Sequence, residues 1–151
     1  MTHAAETLIN QAIEIFHDFV RREGGRVTPQ RDLILREFFS SGDHLSAEDL
    51  FMRTKQKDES VNLATVYRTL KLLVASELAT ELAMPHGSSL YESNFKRDHH
   101  EHLICISCGK IVEFIEPVIE KAQDQIAKKH GFKMISHKHE IRGLCKDCQK
   151  K

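Results

Sequence analysis

The sequence predicts an α+β chain, an N-terminal winged helix-turn-helix domain followed by a small α/β domain. Three observations carry this. Residues 4–76 show helical periodicity punctuated by caps and glycines, and two short strand patterns follow. A polar stretch, Ser93–Arg97, then precedes a second set of strand and helix patterns. That second set carries all four cysteines as two Cys-x-x-Cys pairs. The expected boundaries are 1–92 for the first domain, 93–98 for a hinge and 99–151 for the second domain.

In the first domain, Leu8, Ala12, Ile15, Phe16, Phe19 and Val20 recur at helical spacing, and Gly24-Gly25 ends that helix. Thr28-Pro29 supplies an N-cap with proline at the first helical position, and the second helix runs to about Ser40 with Leu33, Ile34 and Phe38 inward. Ser46-Ala47-Glu48-Asp49 is a capping-box pattern for a third helix over about 47–57. Asn62 caps a fourth, from Leu63 to about Ser76. Strands at about 78–83 and 89–92, joined by Pro85-His86-Gly87, complete a wing. The second domain reads as strands at about 102–105 and 111–114, a helix over 117–130 ended by Gly131, and a last strand over about 132–142.

Bulk properties narrow the function classes. The chain has 151 residues, 40% hydrophobic and 29% charged, with no low-complexity tract, which is a globular composition. No apolar run approaches the roughly 20 residues that span a bilayer. The start, MTHAAETLINQ, lacks the pattern of a secretion signal, so the expected location is cytoplasmic with no membrane partner. Net charge is zero, but residues 1–92 carry 10 basic against 14 acidic groups and residues 93–151 carry 12 against 8. A nonspecific nucleic-acid coat is more basic than this. DNA binding here must rest on a few well-placed cations, helped by the charge of bound metal.

Cys105-Ile-Ser-Cys108 and Cys145-Lys-Asp-Cys148 are separated by 36 residues. In a reducing compartment such pairs read as metal ligands before disulfides. Four thiolates fill the tetrahedral shell of Zn²⁺ and leave no open position, so the expected site is structural.

Asp98-His99-His100-Glu101-His102 is the second ligand-rich segment. In extended backbone, neighbouring side chains point to opposite faces. His100 and His102 then share one face, and His99 and Glu101 the other. One strip can feed two metal sites, each completed from His44, Glu92, Glu113, Glu120, His137 or His139. Imidazole and carboxylate without sulfur suit Fe(II), Mn(II), Zn(II) or Co(II). His3, His17 and His86 stand alone and read as solvated, and His130 reads as the end of its helix.

Four strings together resemble the ferric uptake regulator (Fur) family. They are Gly25-Arg26-Val27-Thr28-Pro29-Gln30-Arg31, His44-Leu45-Ser46-Ala47-Glu48-Asp49-Leu50, Ala64-Thr65-Val66-Tyr67-Arg68-Thr69-Leu70 and His99-His100-Glu101-His102-Leu103-Ile104-Cys105-Ile106-Ser107-Cys108-Gly109-Lys110. The resemblance runs from about Gly25 to Cys148. It implies a C-terminal dimerisation domain, with a homodimer or a tetramer, and repression on metal binding. It also implies a regulatory site of His44, Glu92, His100, His102 and Glu113 linking the domains. A second site of His99, Glu101, Glu120 and His137 would lie within the dimerisation domain.

Peroxide-sensing relatives typically carry aspartate where Glu92 and Glu113 stand, and zinc-sensing relatives often add a cysteine to the sensing site. Both departures favour Fe²⁺ as the regulatory ion, with Mn²⁺, Zn²⁺ or peroxide sensing as alternatives. The resemblance makes the helix from Leu63 the recognition helix on an A·T-rich palindromic operator of double-stranded DNA, controlling metal-uptake genes. Tyr67 would press its ring on a thymine methyl, Arg68 would bond to a guanine edge or a phosphate, Thr65 and Thr69 would contact the DNA backbone, Arg26 would enter the minor groove and Arg31 would reach phosphate. The rival classes are a metal buffer, which needs no Tyr67-Arg68 helix, and a zinc hydrolase, for which the His-Glu-x-x-His motif is lacking.

Overall fold

The computed structural model of the protein describes residues 3–96 and 99–150. It separates into two compact units, Met1–Ala83 with Gly87–Arg97, and Met84–His86 with Asp98–Lys151.

In the first unit, α1 (His3–Arg22) buries Ile9, Ala12, Ile13, Phe16 and Val20 along one stripe. Leu8 and Ile15, expected inward or beside that stripe, remain exposed. Each step along a helix turns about 100°, so the residues next to Ile9 and Phe16 in sequence fall off the buried face. α2 (Pro29–Ser41) starts at Thr28, whose hydroxyl accepts from the Arg31 N–H at 3.3 Å, and ends at left-handed Gly42. It buries Ile34, Leu35 and Phe38.

α3 (Ala47–Lys55) carries the complete capping box: the Asp49 N–H donates to the Ser46 hydroxyl at 3.0 Å, and the Ser46 N–H donates to the Asp49 carboxylate at 3.4 Å. α4 (Leu63–Ala75) starts at Asn62, whose Oδ1 accepts from the Thr65 N–H at 2.9 Å. Val66, Thr69, Leu70 and Leu73 face inward from it. Side chains from these four helices and from Leu45, Val61, Leu78, Ala79 and Tyr91 form one hydrophobic core.

β1 (Ala79–Ala83) and β2 (Ser89–Ser93) pair antiparallel, with Thr80 opposite Glu92. A bridge between Leu45 and Tyr91, made by two backbone hydrogen bonds of 2.8 and 2.9 Å, ties the α2–α3 connection to this hairpin. The expected hinge is shorter than 93–98. Ser93 ends β2, the Asn94 N–H donates to the Leu78 carbonyl at 3.0 Å, and Phe95 packs on Phe39. Lys96 donates to Gln11 at 2.7 Å. Residues 93–96 therefore belong to the first unit, and Arg97 and Asp98 lie outside the described residues.

In the second unit, β3 (Glu101–Cys105) lies between β4 (Ile111–Phe114) and β5 (Glu140–Gly143). β3 and β4 are antiparallel, and β3 and β5 are parallel. A parallel pair needs a long crossover, which contains α5 (Pro117–Lys129). Glu116 caps α5, Pro117 opens it, and left-handed Gly131 follows its end. The last strand is shorter than the 132–142 expected. Its pairing begins at His102↔Glu140 and ends at Cys105↔Gly143, so the short central strand offers residues 132–139 no ladder. The buried side chains of this unit, among the described residues, are Glu101, His102, Ile104 and Cys105, and α5 buries none. A unit of about 50 residues with so little apolar core needs other sources of stability, such as metal or a partner subunit.

Candidate metal centres and nucleic-acid interface

The turn after β3 is closed by the Gly109 N–H donating to the Cys105 carbonyl at 3.0 Å and the Cys105 N–H donating to the Lys110 carbonyl at 2.9 Å. Gly109 takes φ 72°, which suits glycine. The parallel register Cys105↔Gly143 delivers the second cysteine pair to the same corner. There the Cys145 N–H points at the Cys105 sulfur at 3.4 Å. All four sulfurs lie within 4.8 Å of one another, and Cys108 and Cys145 are 3.7 Å apart. Tetrahedral Zn²⁺ with bonds of about 2.3 Å sets its sulfurs about 3.8 Å apart.

The protonation states of these thiols diverge. Backbone N–H groups of Cys145 and Cys108 draw the Cys105 thiol down to about 6. Cys148 is pushed up to about 11: the Ser107 hydroxyl pulls it down, but its contacts with Cys145 and Cys108, burial, and Cys105 outweigh that pull. Four sulfurs this close cannot all be thiolates without a compensating cation. The donor set fits a structural zinc ion.

β3 also sorts the histidine strip. The rings of His100 and His102 lie 4.9 Å apart, His100 stands 3.9 Å from the Glu113 carboxylate, and His102 faces Glu113 across the β3–β4 ladder. In the first unit, the Leu45–Tyr91 bridge sets His44 beside Glu92, 3.1 Å apart. Glu92 is 3% exposed, so its carboxylate has little water to solvate it.

His99, Glu101, Glu120 and His137, all in the second unit, gather within 4.8 Å of one another. His99 and Glu101 are 2.8 Å apart, His99 and Glu120 3.3 Å, and His137 and Glu120 3.2 Å. Glu120 sits in the first turn of α5, where the helix dipole favours a carboxylate. Two imidazoles and two carboxylates converging on one point fit a divalent ion of the first transition row.

At the N-terminal part of α4, the Arg68 guanidinium donates to the Thr65 hydroxyl at 3.3 Å, and that hydroxyl donates to Asn62 Oδ1 at 3.1 Å. Tyr67 is exposed, and its hydroxyl donates to Glu48 at 2.7 Å. Arg26 is exposed, and the Arg31 guanidinium donates to the Arg26 carbonyl. Thr69 corrects an expectation. It is fully buried, and its hydroxyl donates to the Thr65 carbonyl at 2.8 Å, so it packs α4 and is unavailable to DNA. His17, expected to be solvated, is largely buried and pairs with Asp32 at 2.6 Å, between α1 and α2.

A family model described as "Ferric uptake regulator family" matches residues 22–142. The chain is 41% identical over 141 residues to the ferric uptake regulation protein of Campylobacter upsaliensis, covering 92% of this chain and 90% of that one. The chain belongs to the ferric uptake regulator family. Among solved structures, it is similar to the Helicobacter pylori ferric uptake regulator Fur, described as having three functional metal-binding sites. The TM-score is 0.76 and the identity 33%, over 95% of each chain. It is also similar to the Pseudomonas aeruginosa ferric uptake regulator with manganese, with TM-score 0.72 and identity 31%, over 84% of this chain and 95% of that one. As a Fur family member the protein is a metal-responsive transcription regulator and not an enzyme. Among the described residues, no helix is long and apolar enough to cross a membrane.

Reading the sequence missed Glu48 as the partner of Tyr67. The two are 19 residues apart, on different helices, and Glu48 reads as an ordinary first-turn acid. It also missed that Glu101 accepts the His139 N–H at 2.7 Å, an interaction of the backbone that leaves no side-chain signature.

Proposed function

We propose that this Fur family member is a cytoplasmic, dimeric, Fe(II)-responsive repressor of metal-uptake genes, acting on an A·T-rich palindromic operator. The observation that carries the reading is the division of ligands between the two ends of β3: nitrogen and oxygen donors at its start and in the segment just before it, with all four sulfurs gathered at its far end. Sulfur-free shells suit Fe(II). They suit Mn(II) equally, and the manganese held by the Pseudomonas aeruginosa relative makes manganese the second reading.

The regulatory site we propose takes His44 and Glu92 from the first unit and His100, His102 and Glu113 from the second. A divalent cation held there supplies positive charge and directional bonds. Ligands drawn from both units favour the arrangement in which all five converge. The bias equals the difference in affinity between that arrangement and the others. By linkage, DNA binding raises metal affinity by the same factor. His99, Glu101, Glu120 and His137 form the second site, and Cys105, Cys108, Cys145 and Cys148 hold structural zinc. On DNA, Tyr67 offers its ring to a thymine methyl and Arg68 reaches a guanine edge. Thr65 and Arg31 contact the backbone, and Arg26 enters a narrow minor groove. The partner subunit covers the apolar surface of the second unit, which includes Val118, Ile126, Phe132 and Ile135.

The test is DNA affinity against free Fe(II), Mn(II) and Zn(II) under anaerobic conditions, with two double variants. His100→Ala with His102→Ala should abolish metal-activated DNA binding. His99→Ala with Glu101→Ala should leave much of it, with circular dichroism confirming that both are folded. Equal loss in both would defeat the assignment of two separate sites, and activation by Mn(II) alone would replace iron by manganese. Purified protein should also keep about one zinc per chain through mild chelation. Cys105→Ser or Cys145→Ser should lose it, and full retention in both would sink the structural site.

A further inference from the structure

Tyr67 has two rotatable side-chain bonds and a hydroxyl able to donate to any nearby phosphate. A tyrosine left free to do so would bind every DNA sequence alike, because phosphate contacts carry no base information. Here the hydroxyl is already engaged, 2.7 Å from the carboxylate of Glu48. A hydrogen bond to an ionised acceptor at this distance is among the stronger kinds. Glu48 is itself well anchored. It lies in the first turn of α3, next to the capping box of Ser46 and Asp49, where the helix dipole favours a carboxylate. The same bond raises the pKa of Tyr67 above its ordinary value. The neighbouring Arg68 is held in parallel fashion through Thr65 and Asn62. Both reading side chains are thus set before DNA arrives, which lowers the ordering cost of binding.

We propose that Glu48 is a positioning residue of the DNA interface: it holds the Tyr67 hydroxyl so that the ring faces the groove, and its charge penalises contact with phosphate that brings no correct base pairing. The proposal rests on reading α4 as the recognition helix. Glu48 touches no base, acts through Tyr67, and raises the ratio of specific to nonspecific binding.

The experiment uses the full-length, metal-loaded chain. A palindromic duplex is selected by the wild type from a random pool, and affinities for it and for a scrambled duplex are measured across salt concentrations. Glu48→Ala should lower the ratio about fivefold, the change expected for one hydrogen bond. Glu48→Gln keeps an acceptor and should lower the ratio only about twofold, by binding scrambled DNA more tightly, since a repulsive charge is gone. Tyr67→Phe should cause a loss that does not add to that of Glu48→Ala in the double variant. Zinc content and circular dichroism confirm that each is folded, and Glu48→Gln against Tyr67→Phe decides the matter if the alanine variant is not. An unchanged ratio in Glu48→Ala, or additive losses, would overturn the proposal. A wild-type chain with no metal-dependent preference for any duplex would instead remove the repressor reading itself.

Discussion

Glu101 plays two roles at once. One carboxylate oxygen lies 2.8 Å from His99 and 3.3 Å from His137, and the other accepts the His139 N–H. The side chain is 3% exposed, so the loss of either role is not made good by water. Glu101→Ala should cost about 1–3 kcal/mol of stability by orphaning the His139 N–H. Glu101→Gln keeps a neutral acceptor for it, and should retain most of that stability while losing metal affinity at the second site. Thermal unfolding beside a metal titration separates the two effects, and equal destabilisation by both variants would refute the division of labour. Tyr91 gives a test on the alkaline side. Burial, then the charge of Glu81 and the bond to it, push this hydroxyl up to about 12 from an ordinary value of 10. The unfolded chain therefore loses the proton first. The contribution of Tyr91 to stability is complete below pH 10 and is lost as pH rises towards 12. Tyr91→Phe should flatten that part of the stability profile in denaturant titrations, and an unchanged slope would count against the shift.

At the level of elements, the caps were the most legible features. Thr28-Pro29, Ser46 to Asp49 and Asn62 open α2, α3 and α4 where the sequence places them, because a cap is a local bargain between a side chain and the next three residues. Asn62→Ala should cost about 1 kcal/mol in chemical denaturation, and Asn62→Asp little. The alanine variant should also loosen Arg68, whose chain of hydrogen bonds ends at Asn62. The alternation of His99 to His102 was legible for a similar reason, since extended backbone has a period of two whatever surrounds it. Features set by tertiary packing were less so. Thr69 shares the inward stripe of Val66, Leu70 and Leu73, so helical periodicity does reach its burial, whereas nothing local says that β5 pairs only from Glu140 onward. The contact of Tyr67 with Glu48 depends on how two helices cross, which no window of sequence contains.

Taken as a whole, the molecule joins a helical unit with a large apolar core to a second unit whose buried side chains, among the described residues, are mostly the proposed metal ligands Glu101, His102 and Cys105. The two should therefore respond differently to chelation. Strong chelators should leave the first unit folded while the second becomes sensitive to protease, so that unfolding shows two transitions. A single cooperative transition before and after zinc removal would contradict this. Ile135 is 80% exposed and Phe132 73%. Ile135→Glu should shift the proposed dimer towards monomer in sedimentation experiments, and an unaltered assembly would place the subunit interface elsewhere.

The parallel pairing of β3 with β5 joins residues about forty positions apart, from His102↔Glu140 to Cys105↔Gly143. A ribosome adding about 5–20 residues per second makes β3 roughly 2–8 s before β5. During that interval His99, His100, His102, Cys105 and Cys108 exist before His137, Cys145 and Cys148 have been made. Incomplete ligand sets bind most divalent ions in the order fixed by the metal, with copper and zinc ahead of iron and manganese. Which ion the newborn chain meets first is thus a question of timing, and whatever selectivity the finished sites have must wait until the crossover is complete.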